Sequence, residues 1–315
     1  MLGFINALPG AVSQGLIWGI MAIGVYITYK ILDIADLTVD GSFCTGGAVF
    51  AVLFAGGVNI WAAMLAALLA GMLAGLVTGL LHTLCGIPAI LAGILTQLGL
   101  WSVNMAIMGM KASVAISVTN PSVLNKLVVS LRFVQEVAKG AMPFYRHPIV
   151  VGLFTLVIIL ALYWFFGTEL GCSLRATGAN PAMARAQGIS TSWAKVLALM
   201  ISNGLVSLSG ALLAQYNGAN EINVGRGAIV IGLAAVIIGE VLLGKVFRNF
   251  GLKLLSVSIG AIIYYIVMQA VLALGLNPNY LKLLSAAVVA VFLATPYWKG
   301  KYFSKPVKKG GATHA

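Results

Sequence analysis

The chain has 315 residues, of which 61% are apolar and 8% charged, with a formal net charge of +12. A mean hydropathy of +1.03 excludes a soluble globular domain, and nucleic acid is not an expected partner. The apolar residues fall into blocks of about 16 to 25, the length that crosses a bilayer as a helix, so the fold class is an all-α polytopic membrane protein, with residues 1–315 forming a single transmembrane domain in contact with membrane lipid.

Met1 to Pro9 has no basic n-region and runs straight into apolar sequence, so the first helix is expected to be its own insertion signal. Apolar blocks between polar breaks predict spans near 11–29, 41–56, 60–84, 88–109, 148–167, 196–216, 228–244, 254–275 and 281–297. That makes nine, which puts the two termini on opposite sides.

Between the first two spans, residues 33–43 read DIADLTVDGSF and hold three of the chain's seven carboxylates. The second span reaches only about 16 residues before Gly56 and Gly57, short of the roughly 20 a crossing needs, so part of the polar stretch is expected inside the membrane as a broken helix. Gly41, Gly46 and Gly47 would ease the break. Two readings of Asp36 and Asp40 follow: they line the pathway or its inner gate, with Thr38 and Ser42 satisfying freed backbone groups, or they only cap a half-helix at Gly41. Asp33, near Lys30, reads as a solvated interfacial residue.

A shift of 185 residues lays Asp36 over Glu221, Val39 over Val224 and Gly47 over Gly232, each copy preceding a Gly-rich apolar span. The first copy follows a span running inward and the second a span running outward, the arrangement of inverted repeats with interrupted helices at the pathway. Glu221 therefore joins the pathway candidates. In the fourth span Gln97 and Asn104 are seven apart, on one helix face, where they could bind a polar solute or act as helix glue. Leu124, Leu127, Val128, Leu131 and Val134 recur at helical spacing within 110–147, predicting an amphipathic helix on the outer membrane surface.

The polar segment 169–194 carries full helix punctuation: Asn180 to cap, Pro181 at the first helical position, helix formers over 182–187 and Gly188 to stop. A helix of about two turns is not stable alone and needs a partner surface. Ala182, Ala186 and Ile189 would form a small apolar face flanked by Arg175 and Arg185. Glu240 precedes Lys245 by about one turn and is expected to pair with it. The basic tail, 298–315, holds Lys299, Lys301, Lys305, Lys308 and Lys309, which points to the cytoplasm. In that orientation twelve of the nineteen basic residues lie inside and seven outside, five of the seven in 110–147, and the amino terminus is outside.

Cys44, Cys85 and Cys172 are odd in number and scattered, giving neither a disulfide framework nor a metal spacing. His82, His147 and His314 assemble neither a zinc site nor a triad, and Ser207 and Ser209 have no histidine partner, so no metal and no catalytic residue is expected.

The segment GCSLRATGANPAMARAQGI, residues 171–189, resembles the coupling-loop signature of membrane subunits of ABC importers, in the ribose and branched-chain amino acid permease family. DLTVDGS and GLNPNYLKLLSAAVVA fit as well, the latter resembling a branch associated with amino-acid import. The resemblance covers nearly the whole chain, which departs from many sugar permeases of the family in lacking an additional amino-terminal span. It implies that Arg175, Ala176, Gly178, Asn180, Pro181, Ala184, Arg185, Gly188 and Ile189 couple the chain to an ATPase subunit in the cytoplasm. It also implies an external solute-binding protein, a second permease copy as a homodimer, and residence in the cytoplasmic (inner) membrane. No Walker-type phosphate loop occurs, so ATP would be hydrolysed by the partner subunit, and the chain needs no cofactor of its own. The competing function is a stand-alone secondary transporter, which would need mid-span ionisable groups that are nearly absent here.

Overall fold

The computed structural model describes residues 2–116, 148–244, 246, 247 and 249–273, with isolated helical positions between 283 and 294. The amphipathic helix expected within 110–147, Lys245, the basic tail and nearly all of the ninth span lie outside the described residues.

Helix α1 (Leu2–Tyr26) runs into a π-helical turn, Ile27–Ile31, and is followed after a non-helical stretch by α2 (Val39–Ala55), α3 (Ile60–Thr83) and α4 (Ala89–Ile107). The second half comprises α5 (Pro148–Gly167), α6 (Glu169–Ala179), α7 (Pro181–Ala186), α8 (Thr191–Asn217), α9 (Ala228–Leu243) and α10 (Phe250–Ala273). Two short strands, β1 (Ser113–Ala115) and β2 (Ala219–Glu221), pair antiparallel with Val114 opposite Asn220. Among the described residues six helices are long and apolar enough to cross a membrane, which establishes an all-α polytopic membrane protein. The exceptions are α2 and α9, at 17 and 16 residues. At about 1.5 Å per residue each falls short of a hydrocarbon core of about 30 Å.

The packing is reciprocal. Helix α1 packs against α9 and α10, α8 packs against α2 and α3, and α1 and α8 pack on each other. These two are the buried axes, enclosed along 78% and 83% of their spans, whereas α4 is enclosed along only 22%. The outer faces of α3, α4 and α5 expose Leu69, Leu73, Leu95, Leu98, Leu156 and Leu160, as suits helices solvated by lipid.

Lipid tails are as apolar as leucine, so helix association needs close backbone approach and hydrogen bonds rather than apolar burial. Both are present. Gly71 and Gly75 of α3 meet the backbone of α8 at Asn203 and Leu199, and Gly260 of α10 meets Ala235 of α9. The Ser202, Ser207 and Ser209 hydroxyls of α8 donate to the carbonyls of Gly24 (2.7 Å), Ala67 (2.6 Å) and Ile17 (2.7 Å). These serines serve as interhelical clips.

Three sequence expectations change. Gly46 and Gly47 do not break a helix: they lie inside α2, where a Cβ would strike Ser207 and Asn220. Glu240 has a partner the sequence did not suggest, Lys30 at 2.9 Å, because the π turn carries Lys30 to the end of α9, while Lys245 lies outside the described residues. The segment 169–194 contains a complete helix, α6, before the expected short one.

Gly46→Leu is expected to separate α2 from α8 and, by overpacking of about 1–3 kcal/mol, to lower the thermal midpoint of the detergent-purified chain by several degrees. Gly99→Ala, where nothing lies within 4 Å of the added methyl group, should leave the midpoint unchanged or raise it slightly in the same fluorescence melt.

Candidate functional site

Residues 32–38 leave the helical path yet bury Leu32, Ile34, Asp36 and Thr38, so their polar groups need protein partners. Asp36, only 2% exposed, accepts the backbone N–H of Thr38 at 2.9 Å and the Asn203 amide N–H at 2.7 Å. The other side of Asn203 accepts the Ser42 hydroxyl at 2.7 Å. Thr38 does not satisfy the backbone with its hydroxyl, as the sequence suggests; it pairs with Thr78 of α3 at 2.7 Å, and Thr78 donates to Thr96 of α4 at 2.9 Å. The Ser42 hydroxyl, given chiefly to Asn203, also lies 3.3 Å from the carbonyl of Val39 within its own helix. Four elements are thereby tied into one buried polar network.

Asp40 has a different partner. It sits in the first turn of α2, but its Oδ2 accepts the Gly227 N–H and its Oδ1 the Ile229 N–H, both at 2.9 Å. The carboxylate therefore caps α9 rather than its own helix. Gly227 adopts φ +86°, a left-handed conformation natural only to glycine that lets the amides converge, and Gly225 packs directly on the Asp40 carbonyl. The N-termini of α2 and α9 thus meet, and one negative charge lies where two helix dipoles present their positive ends.

Residues 220–227 run along the first turns of α2. Cys44 Sγ donates to the carbonyls of Glu221 and Ile222 at 3.6 and 3.4 Å, and Gly47 faces Asn220. The Glu221 side chain itself is exposed at the end of β2. Val39 opens α2, whereas its sequence counterpart Val224 lies before the start of α9 at Ala228, so the register of the shifted copies differs from that of the helices. Asn104 Nδ2 donates to the Gly41 carbonyl at 3.3 Å while its buried Oδ1 has no partner. Gln97 is half-buried on the same face of α4, its backbone against Gly41. Asp33 is exposed.

At the other end of the network, Asn180 Oδ1 accepts the N–H groups of Ala182 and Met183, both at 3.1 Å, and Gly188 ends the short helix with φ +81°. Helix α7 is thus capped as its sequence indicates. Its residues divide cleanly: Ala184 is buried, whereas Pro181, Ala182, Arg185, Ala186 and Gly188 are exposed and Met183 is 63% exposed. Gly178 anchors α6 on the carbonyl of Ile31, the last residue of the π turn, with Ala176 half-buried beside it. The Arg175 guanidinium lies 5.5 Å above the Phe250 ring, turned to α10 rather than to α7.

Residues 8–293 match the family described as the branched-chain amino acid transport system permease component. The chain belongs to this permease family. It is 37% identical over 291 residues, 92% of its length and 91% of the relative's, to a tyrosine transport system permease protein of Clostridioides difficile (strain R20291). It is 33% identical over 292 residues, covering 92% of this chain and 98% of the other, to an uncharacterised protein of Rickettsia prowazekii (strain Madrid E). Over 92 residues, 29% of its length and 27% of the other's, it is 30% identical to an autoinducer 2 import system permease protein of Salmonella paratyphi B. No solved structure matches it. The permease is a translocation subunit of an ABC-type importer that moves a small polar solute across the membrane, and is a transport protein rather than an enzyme. Family membership implies separate ATPase and solute-binding components. Among the described residues no group of His, Cys, Asp and Glu could hold a metal ion.

Several contributors escaped the sequence reading: Asn203, Thr78, Gly225, Gly227 and Met183. Asn203 carried a signal, being the one amide side chain in the middle of its span. Gly227 had none, because nothing local distinguishes a glycine that receives a distant carboxylate.

Asp40→Ala is expected to free the first turn of α9. Hydrogen bonds to a charged group are worth about 1.5–3 kcal/mol each, so amide exchange in peptides covering 224–232 should accelerate about tenfold or more by mass spectrometry, while peptides from α3 keep their protection.

Proposed function

We propose that the permease imports an amino acid, with tyrosine the first solute to test, as one of two identical copies driven by cytoplasmic ATPase subunits. The observation that carries the solute class is its similarity, along nine-tenths of both chains, to a permease whose name specifies tyrosine transport. Solute choice in such a system is shared with the external binding protein, so uptake must be measured with the intact complex.

In this reading the amino terminus is outside and the carboxyl terminus cytoplasmic, in the cytoplasmic membrane. The basic asymmetry supports it, as does the gathering of Lys30, Glu240, Lys195 and His82 at one end of the bundle, where Lys30 pairs with Glu240 and Lys195 Nζ lies 3.5 Å from His82 Nε2. The β1–β2 ribbon joins the far ends of α4 and α8, as expected if both exit on the outer side.

The halves α1–α3 and α8–α10 form an inverted repeat in which α1 and α8 are exchanged between the halves. The two short helices, each preceded by a non-helical stretch, are its interrupted spans. Asp40 would then be a fixed hub beside the pathway, with Asp36, Thr38 and Ser42 holding the inner stretch, and Gln97 and Asn104 on the α4 wall. Glu221, exposed on the ribbon, belongs with the outer mouth.

The coupling surface is the exposed part of α7. Asn180, Pro181, Arg185, Gly188 and Ile189 shape and present it, and Met183 adds an apolar tip. Ala184 is buried beneath that surface, and Gly178 on the preceding helix packs on the π turn, with Ala176 beside it, while Arg175 supports α6 from the side of α10. A push on α7 would reach residues 31–38 through Gly178, and α2 beyond them.

Arg185→Glu or Ala186→Trp is expected to abolish ATP-dependent uptake and weaken co-purification of the ATPase, with the permease still inserted and monodisperse. Wild-type uptake and ATPase retention in both would make α7 a mere connector. For the orientation, reporters placed after Lys305 and between Thr168 and Trp193 should be cytoplasmic and one within 110–147 external; protection of 110–147 on the cytoplasmic side reverses the map.

A further inference from the structure

An open cavity of about 610 Å³ lies where α5 ends, α6 begins and α10 starts, lined in part by Tyr163, Trp164, Thr168, Arg175, Asn249 and Phe250. None of the helix contacts described above fills it. Arg175 is a permanent cation held over the Phe250 ring, and no hydrogen bond or ion pair engages its guanidinium among the described residues. Its fork of N–H donors is therefore available to an anion at the cavity. Lys253, one turn along α10, is exposed outside the cavity lining, and the start of α10 at Phe250 contributes the positive end of a helix dipole.

The apolar surroundings specify what kind of anion. Trp164 is 75% and Tyr163 48% exposed at the last turn of α5, positions suited to aromatic rings at a membrane–water boundary. From Trp164 a stripe of exposed apolar side chains, Leu160, Val157 and Leu153, runs back along one face of α5. A cation-bearing cavity at the membrane surface opening onto an apolar track in the hydrocarbon matches a molecule with an anionic head and acyl tails. Bulk lipid solvates the stripe in any case; its continuity with the cation-bearing cavity at Trp164 is what lets one molecule occupy both.

We propose that this cavity binds an anionic glycerophospholipid of the phosphatidylglycerol type, with Arg175 holding the phosphate bidentately and the acyl chains lying along the 153–160 face of α5. The site rests on α5 crossing the membrane. Its assignment to the inner leaflet rests on the orientation proposed above, but the binding assay reads the site whichever side it faces, so failure of one is distinguishable from failure of the other. Because α6 leads directly into α7, a bound lipid would steady the helix that bears the docking surface.

The test uses the full chain purified in mild detergent and exposed to equal amounts of phosphatidylglycerol and phosphatidylcholine, with retained lipid read by native mass spectrometry. The wild type should prefer phosphatidylglycerol, with one tightly held molecule per chain. Arg175→Ala should lose that preference about tenfold, the scale of one charge-assisted pair, and Arg175→Lys should keep part of it. Arg185→Ala, which alters a cation on α7 outside the cavity, should keep all of it. A melting curve on each variant separates lost binding from lost folding. In nanodiscs containing brominated phosphatidylglycerol, the fluorescence difference between wild type and Trp164→Phe should be quenched, and addition of inorganic phosphate should not relieve the quenching. Equal retention of both lipids, preference surviving in folded Arg175→Ala, or relief by free phosphate overturns the proposal. So does loss of ATPase co-purification in Arg175→Ala with lipid retention unchanged, which assigns the cavity to the ATPase interface.

Discussion

The contact between the Asp40 carboxylate and the first amides of α9 is the constraint on which the rest of the architecture depends. Helices α2 and α9 both begin among protein, their first residues Val39 and Ala228 being fully buried, and a helix that begins away from water has first-turn N–H groups with no solvent to receive them. A carboxylate supplied by the first turn of one helix to the start of the other satisfies donors on α9 and places negative charge near both positive helix ends. Gly225 and Gly227 follow from this arrangement: a side chain at the first would strike the Asp40 backbone, and at the second would be strained by the left-handed turn.

Once the two N-termini are joined, the non-helical stretches leading to them must be covered by something other than lipid. The long helices α1 and α8 do this, which accounts for their burial and for their unusual number of hydroxyl and glycine contacts. Asn203 bridges Asp36 and Ser42 in a single position of α8, and Gly24 of α1 accepts from Ser202 one residue earlier. A buried carboxylate without such partners is strongly destabilising, so α8 and the 32–38 stretch stabilise each other's conformation.

The same stretch is in packing contact, through the π turn, with the helix that leads into α7. From Gly178 the contacts run to Ile31 and Leu32 at the end of the π turn, and the chain continues from there through residues 32–38 to α2 and Asp40. A π turn is a locally loosened helix frequent at functional sites, here formed by the i to i+5 bond from Leu32 N to Ile27 O at 3.1 Å.

The sequence by itself determined the class of molecule, most span positions, and the capped helix at 181–186, because these depend on local quantities: apolar run length, and the short-range chemistry of Asn, Pro and Gly. It also singled out Asp36 and Asp40, since carboxylates are conspicuous in so apolar a chain, and left open whether they cap a helix or line a pathway. Only the tertiary structure decided which helix Asp40 caps, because the amides it receives are 187 and 189 residues away and no local pattern encodes that distance. Likewise Gly46 and Gly47 read as helix breakers from propensity alone, but close packing on Ser207 and Asn220 makes the absence of a side chain their function. Glu240 gained a partner 210 residues away, Lys30, because the π turn, invisible in hydropathy, sets where Lys30 emerges. Local chemistry fixes helices and their ends, whereas the partner of a buried charge is fixed by which chain segments the packing brings together.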